Sequence, residues 1–208
     1  DDATKTLLHV AAQYSHVEVV QILLEAGAKV DMKDGCGKTA LYYACEMGVF
    51  TVVKLLIEAG ARVDDTTMYG KSALHVACQN GNVEVTTLLI NVGANVHAKD
   101  RYGNTPLHYA CEKGKITEQD PNVNAPASVN ENTTQCENNA SKIVELLLKA
   151  GANIDDTTVY GKLALHIACK AGNSNVVEQL IRAGAKVDGN DDATKTLLHV
   201  AAQYSHVE

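Results

Sequence analysis

The segment TPLHYAC, residues 105–111, decides how the chain is read. Its pattern returns as TLLHVAA (6–12), TALYYAC (39–45), SALHVAC (72–78), LALHIAC (163–169) and TLLHVAA (196–202). The starting residues lie 33 apart except between Thr105 and Leu163, where the separation is 58, or 33 plus 25. Units close on an apolar run and a glycine: VVQILLEAGA, VVKLLIEAGA, VTTLLINVGA, IVELLLKAGA and VVEQLIRAGA. Apolar residues at the helical period of about 3.6 describe two short helices per unit. Helices that short cannot bury their apolar faces alone, so neighbouring units must stack.

Local chemistry supports the same units. Thr at the first signature position can cap the first helix, and Pro106 follows where a missing N–H costs nothing. Gly48, Gly81, Gly114 and Gly172 fit the turn between the two helices; Gly27, Gly60, Gly93, Gly151 and Gly184 fit the end of the second. Segments such as VDDTTMYGK (63–71) and VHAKDRYGN (96–104) carry turn residues and should project between units. The first unit departs from this pattern, with Thr4 and Ser15 in place of two glycines.

The period of 33, together with Thr105, Pro106, Leu107 and His108 in the T-P-L-H-x-A signature, resembles the ankyrin repeat family over nearly the whole chain. The resemblance implies an all-α solenoid of stacked helix-turn-helix units with projecting β-hairpin loops. It reads as one continuous array of repeats at about 1–33, 34–66, 67–99, 100–157 and 158–190, with a partial repeat at 191–208. It also implies that His9, His75, His108, His166 and His199 are buried hydrogen-bonding residues tying neighbouring hairpins together. Tyr42 stands at that position in the second unit, so one link should differ.

The excess 25 residues fall at about 116–140, inside the fourth unit. With six Asn, two Pro and almost no large apolar side chains, this insertion is expected to be an exposed, mobile loop. It holds two N-x-S/T triplets, at Asn132 and Asn139, which are candidate glycosylation sites on that loop. Cysteine usage points the other way. Cys45, Cys78, Cys111 and Cys169 share one register, about 8–10 Å apart in stacked helices, too far for disulfides. They read as small core residues, and Cys36 and Cys136 are the candidate exposed thiols. Unpaired cysteines, like the family resemblance, suit a reducing compartment such as the cytoplasm; a used sequon would place the chain outside the cell or at its surface.

A net charge of −7 with acids and bases interspersed gives no electrostatic footprint for nucleic acid. No apolar run approaches the ~20 residues needed to insert across a bilayer, and residues 1–20 carry no signal-peptide pattern. One His per repeat cannot converge on a single metal ion. No nucleophile and base pairing, paired carboxylates or complete phosphate loop emerges, so no enzyme activity or cofactor is expected.

Surface presentation remains. The resemblance implies that partners meet the hairpin tips and the inner face of the first helices. Tyr69, Tyr102 and Tyr160 occupy one tip position in successive units, and Lys38, Lys71 and Lys162 recur two residues later, an aromatic and cationic stripe suited to binding a protein. A second reading comes from the chain's own duplication. Residues 1–18 recur unchanged as 191–208, an offset of 190, or five times 33 plus 25. That phase implies a higher-order unit iterated in a longer polypeptide, a structural scaffold or filament in which further copies stack head to tail. The two expectations, scaffold and intracellular interaction adaptor, stand side by side.

Overall fold

The structure, a computed structural model, describes residues 4–112 and 129–187, with side chains from residue 138 onward in the second stretch. Ten helices follow in chain order: α1 (Leu7–Gln13), α2 (Val17–Glu25), α3 (Ala40–Met47), α4 (Phe50–Glu58), α5 (Ala73–Gln79), α6 (Val83–Asn91), α7 (Pro106–Glu112), α8 (Val129–Lys149), α9 (Ala164–Ala171) and α10 (Ser174–Arg182). The first helices α1, α3, α5, α7 and α9 pack side by side in one layer. The second helices α2, α4, α6, α8 and α10 pack in another, and each pair closes on itself.

Burial follows the repeat register. Leu8, Leu41, Leu74, Leu107 and Leu165 fill the first layer, while Leu56, Leu89, Leu147 and Leu180 fill the second. Cys45, Cys78 and Cys111 are fully buried in the first-helix layer, where a small apolar side chain suits close packing. Burial raises all three thiols, Cys78 to about 12, which leaves them inert packing groups.

Between repeats the chain projects in tight turns. Each closes with two backbone bonds, as Asp34 N–H donates to Lys38 O at 2.9 Å and Gly37 N–H to Asp34 O at 2.9 Å. Only isolated antiparallel bridges form there, Thr66 with Ser72 and Thr157 with Leu163, and no strand is present among the described residues. The expected hairpins are thus turns with a single rung. Successive turns are stitched by one further bond per joint: the amides of Met68, Arg101 and Val159 donate to the carbonyls of Cys36, Tyr69 and Tyr102 at 2.9, 2.9 and 2.8 Å. Close approach explains Gly70. At φ +77°, an added Cβ would lie 3.1 Å from the Arg101 amide nitrogen. In the first unit Ser15 adopts φ 61°, taking the left-handed conformation that glycine takes at Gly48 and Gly172.

The insertion differs from expectation. Residues 129–140, read from composition as part of a loop, form the N-terminal part of the 21-residue helix α8. Ile143, Val144 and Leu147 are fully buried, and a helix already fixed by packing extends more readily than one starts. Burial reaches back to Ala140. Residues 113–128 and 188–208, with Gly114, His199 and the second copy of the opening sequence, lie outside the described residues.

Candidate functional site

Among the described residues, His9, His75 and His108 each link a helix cap to a carbonyl of the next turn. Thr6 caps α1 and its N–H donates to His9 Nδ1 at 3.0 Å, so Nε2 carries the hydrogen directed at Lys38 O, 3.0 Å away in the next turn. Ser72 N–H likewise donates to His75 Nδ1 at 3.1 Å, and Nε2 of His75 reaches Asn104 O at 3.2 Å and Ala98 O at 3.1 Å. Thr105 N–H donates to His108 Nδ1 at 3.2 Å, and Nε2 reaches Lys162 O at 3.1 Å across the insertion. In the fifth unit Leu163 supplies only its N–H, 3.3 Å from His166 Nδ1. Burial, outweighing the carbonyls that favour the cation, lowers the affinity of His75 and His108 for a proton.

At the second unit the ladder changes as the sequence indicated. Tyr42 is buried, its N–H donates to Thr39 Oγ1 at 3.2 Å, and no side-chain bond crosses from it to the third turn among the described residues. That joint carries other bonds: Asn82 Nδ2 donates to Cys45 O at 3.0 Å and Asn80 Nδ2 to Glu46 O at 2.7 Å.

Along the turns, Tyr69, Tyr102 and Tyr160 are 47%, 43% and 57% exposed. Their backbones are held: Tyr102 N–H donates to Asp100 Oδ1 at 2.9 Å, while those of Tyr69 and Tyr160 donate to the hydroxyls of Thr67 and Thr158 at 3.3 Å. The Arg101 guanidinium stacks over the Tyr69 ring at 5.4 Å. Rigid turns therefore present aromatic side chains in a row, at one tip position of successive units.

The lysines take a different direction. Lys38 Nζ donates to Glu46 Oε1 at 3.2 Å and Lys71 Nζ to Gln79 Oε1 at 3.0 Å, each reaching eight residues ahead onto its own first helix. Lys162 is half-buried at the equivalent position. The tyrosines stand on the turn tips, and Lys38 and Lys71 reach along the first-helix layer beside them.

That layer also holds residues the motif search passed over. Tyr43 Oη donates to Asp34 Oδ2 and Tyr109 Oη to Asp100 Oδ2, both at 2.7 Å. The pair occurs in the second and fourth units; the third and fifth have Thr67 with Val76 and Thr158 with Ile167. Burial pulls both carboxyls upward, but the tyrosine hydroxyls and turn amides outweigh it and hold Asp34 and Asp100 below the usual carboxylate range. An aspartate opening the turn with a tyrosine nine residues on was the available signal.

Of the sequon residues, Asn139 sits half-buried within α8, lining with Lys142 a groove against Gly81, Asn82 and Glu84. Asn132 falls within the same helix by its backbone, and its side chain lies outside the described residues. No group of three metal-ligating side chains gathers among the described residues, and no described helix is long and apolar enough to cross a membrane.

Paired helices, positive-φ glycines and turns knitted edge to edge define a helical-repeat solenoid. The family model for ankyrin repeats (3 copies) matches residues 1–67, 61–119 and 134–208, and the chain belongs to the ankyrin repeat family. A search of curated proteins finds no match. Ankyrin repeats generally mediate protein–protein interaction and are typically non-enzymatic.

Proposed function

We propose that the chain is an interaction adaptor that binds a protein partner along the turn tips, with Tyr69, Tyr102 and Tyr160 as aromatic anchors and the face bearing Lys38, Lys71 and Lys162 beside them. The carrying observation is the row of three exposed tyrosines on backbones fixed by side-chain caps and joint-to-joint bonds. Aromatic side chains on a rigid edge lose little conformational entropy on binding, which is why such residues dominate interface energetics. Amide hydrogen exchange of the chain with and without a purified partner tests this. Protection centred on residues 67–71, 100–104 and 158–162 is expected; protection confined to the second helices would overturn it.

A scaffold reading is favoured by a second observation. Residues 1–18 recur unchanged as 191–208 at an offset of 190, five times 33 plus 25, so the second copy arrives in phase with the repeat. A unit that recurs in phase suits stacking of further copies in a head-to-tail array or filament. Electron microscopy and light scattering across concentration read this out. Rows with a regular axial repeat are expected from it, and particles of monomer mass at all concentrations would remove it. Glycan attachment at Asn132 or Asn139 is read by intact mass; the half-buried helical setting of Asn139 favours Asn132 of the two.

A further inference from the structure

The adaptor reading leaves the partner's chemistry open, and the turn tips narrow it. Every amide of residues 68–71, 101–104 and 159–162 already donates. The first of each set bonds the carbonyl of the preceding turn, and the others bond the carbonyl or side-chain oxygen of Thr67, Asp100 or Thr158 in their own turn. These tips therefore keep no backbone donor for a partner strand, and a chain that docks by backbone pairing finds no ladder to join. Recognition falls to side chains. Tyr69, Tyr102 and Tyr160 stand out, each preceded by an exposed residue, namely Met68, Arg101 and Val159. Among the described residues the three tyrosine hydroxyls bond no other group, so each can donate to a ligand.

Arg101 sets the middle of this row apart. Its guanidinium is exposed, lies 5.4 Å over the Tyr69 ring and pairs with no carboxylate among the described residues. Stacking on a ring face leaves the N–H edge of a guanidinium open to a carboxylate. Nearby lysines are placed otherwise. Those that precede the turns are held in ion pairs, Lys33 with Asp65 at 3.3 Å and Lys99 with Asp156 at 2.8 Å, while Lys38 and Lys71 reach along the first-helix layer. Three successive tips thus read apolar, cationic, apolar beside their tyrosines. Charge complementarity asks a partner for one anion at the middle tip and apolar groups at its neighbours.

We propose that the tips bind a proline-rich segment of a partner protein in the polyproline II conformation. One acidic residue of that segment pairs with Arg101, and a proline three residues to either side packs on Met68 with Tyr69 and on Val159 with Tyr160. Two periods agree. Successive tips lie one helix spacing apart, about 10 Å, and a polyproline II chain returns to the same face every third residue, about 9 Å along its axis. Such a segment has no internal hydrogen bonds, so its carbonyls are open to the tyrosine hydroxyls, and its prolines bring no N–H that needs an acceptor. It is ordered before it docks, which keeps the entropy cost of binding to fixed turns low. The proposal rests on the adaptor reading for its surface and adds the partner's chemistry.

The experiment uses the full chain and fluorescence anisotropy with three labelled peptides of eleven residues. The first has Pro at positions three, five, seven and nine and Glu at six, among Ala; the second has Ala in place of each Pro; the third has Lys in place of Glu. The first is expected to bind about five-fold more tightly than either of the others. Arg101→Met, which places there the residue type of the third unit, should erase the preference for Glu over Lys, and Arg101→Glu should reverse it. The Tyr69→Ala, Tyr102→Ala, Tyr160→Ala variant should bind the first peptide about ten-fold more weakly. Arg182→Gln, on α10 where Arg182 pairs with Glu178, should leave it unchanged. Circular dichroism shows whether each variant folds. Equal affinity for the proline and alanine peptides, or a preference for Glu over Lys that survives in both folded Arg101 variants, overturns the proposal. Absence of binding by the first peptide at millimolar concentration also overturns it. If the tyrosine variant then still loses a purified protein partner, the adaptor reading stands and only the proline-rich segment is removed.

Discussion

The joint between the third and fourth units and the joint between the second and third solve one problem by different means. In the former, His75 spans from its own helix cap to the carbonyls of Ala98 and Asn104, so one buried ring satisfies groups of two units. In the latter, Tyr42 fills the space without reaching across, and the crossing bonds come from Asn80 and Asn82 at the opposite ends of the helices. Both joints retain the turn-to-turn backbone bond and the Leu and Cys core. Coupling between units therefore resides in separable elements, as expected of a stack in which each unit touches only its neighbours. The polar link can be exchanged while the apolar contact stays.

Breaking the histidine joint should have the largest effect. His75→Ala leaves the Ser72 amide and hydroxyl and two turn carbonyls short of a buried partner, and about 2–3 kcal/mol of stability should be lost in urea unfolding. A loss under 0.5 kcal/mol would mean the ring only fills space. Next come the turns that both joints share. Gly70→Ala places a Cβ 3.1 Å from the Arg101 amide at φ +77° and should cost about 2 kcal/mol, whereas Gly60→Ala, at φ +88° with open space around it, should cost about 1 kcal/mol. Equal costs would show that conformation alone, and not the approach of the next turn, selects glycine at position 70.

Acidity sharpens the contrast further. His75 and His108 are held less basic in the fold than in the unfolded chain, where histidine titrates near ~6.5. The unfolded state then binds more protons, so stability should fall as pH drops below ~6.5. The depressed Asp34 and Asp100 act in the same sense at lower pH, with stability present above the unfolded carboxylate value near ~3.9 and lost as pH falls beneath it. His75→Ala should flatten the first of these declines; an unchanged slope between pH 7 and 5 would count against it. The smallest changes are gains. Tyr42→His adds the missing crossing bond beneath a Thr39 cap already in place, and Ser15→Gly removes the cost of a left-handed non-glycine residue. Each should add up to about 1 kcal/mol, read as a higher urea midpoint.

Much of this was legible in the sequence because stacking imposes a period. Thirty-three-residue spacing fixed the helix pairs, and the shared register of His9, His75 and His108 located the joints and the odd member, Tyr42. Three features escaped. The Asn-rich composition before Ala140 hid a helix that extends from the packed segment Ile143–Leu147, because composition reports burial and not propagation from a neighbour. The partners of Lys38 and Lys71 were not legible, since nothing in local spacing shows that a long side chain turns back along its helix to a residue eight positions on. The Asp34 with Tyr43 and Asp100 with Tyr109 pairs have a period of two units, and a search at one unit sees only variation.

The tyrosine edge is the centre of the functional account. Its most direct test is the affinity of a purified protein partner for the wild-type chain and for the folded Tyr69→Ala, Tyr102→Ala, Tyr160→Ala variant. Exposed aromatic anchors on fixed turns should be worth at least ten-fold in dissociation constant. Equal affinity for the two, with both chains folded, would contradict it.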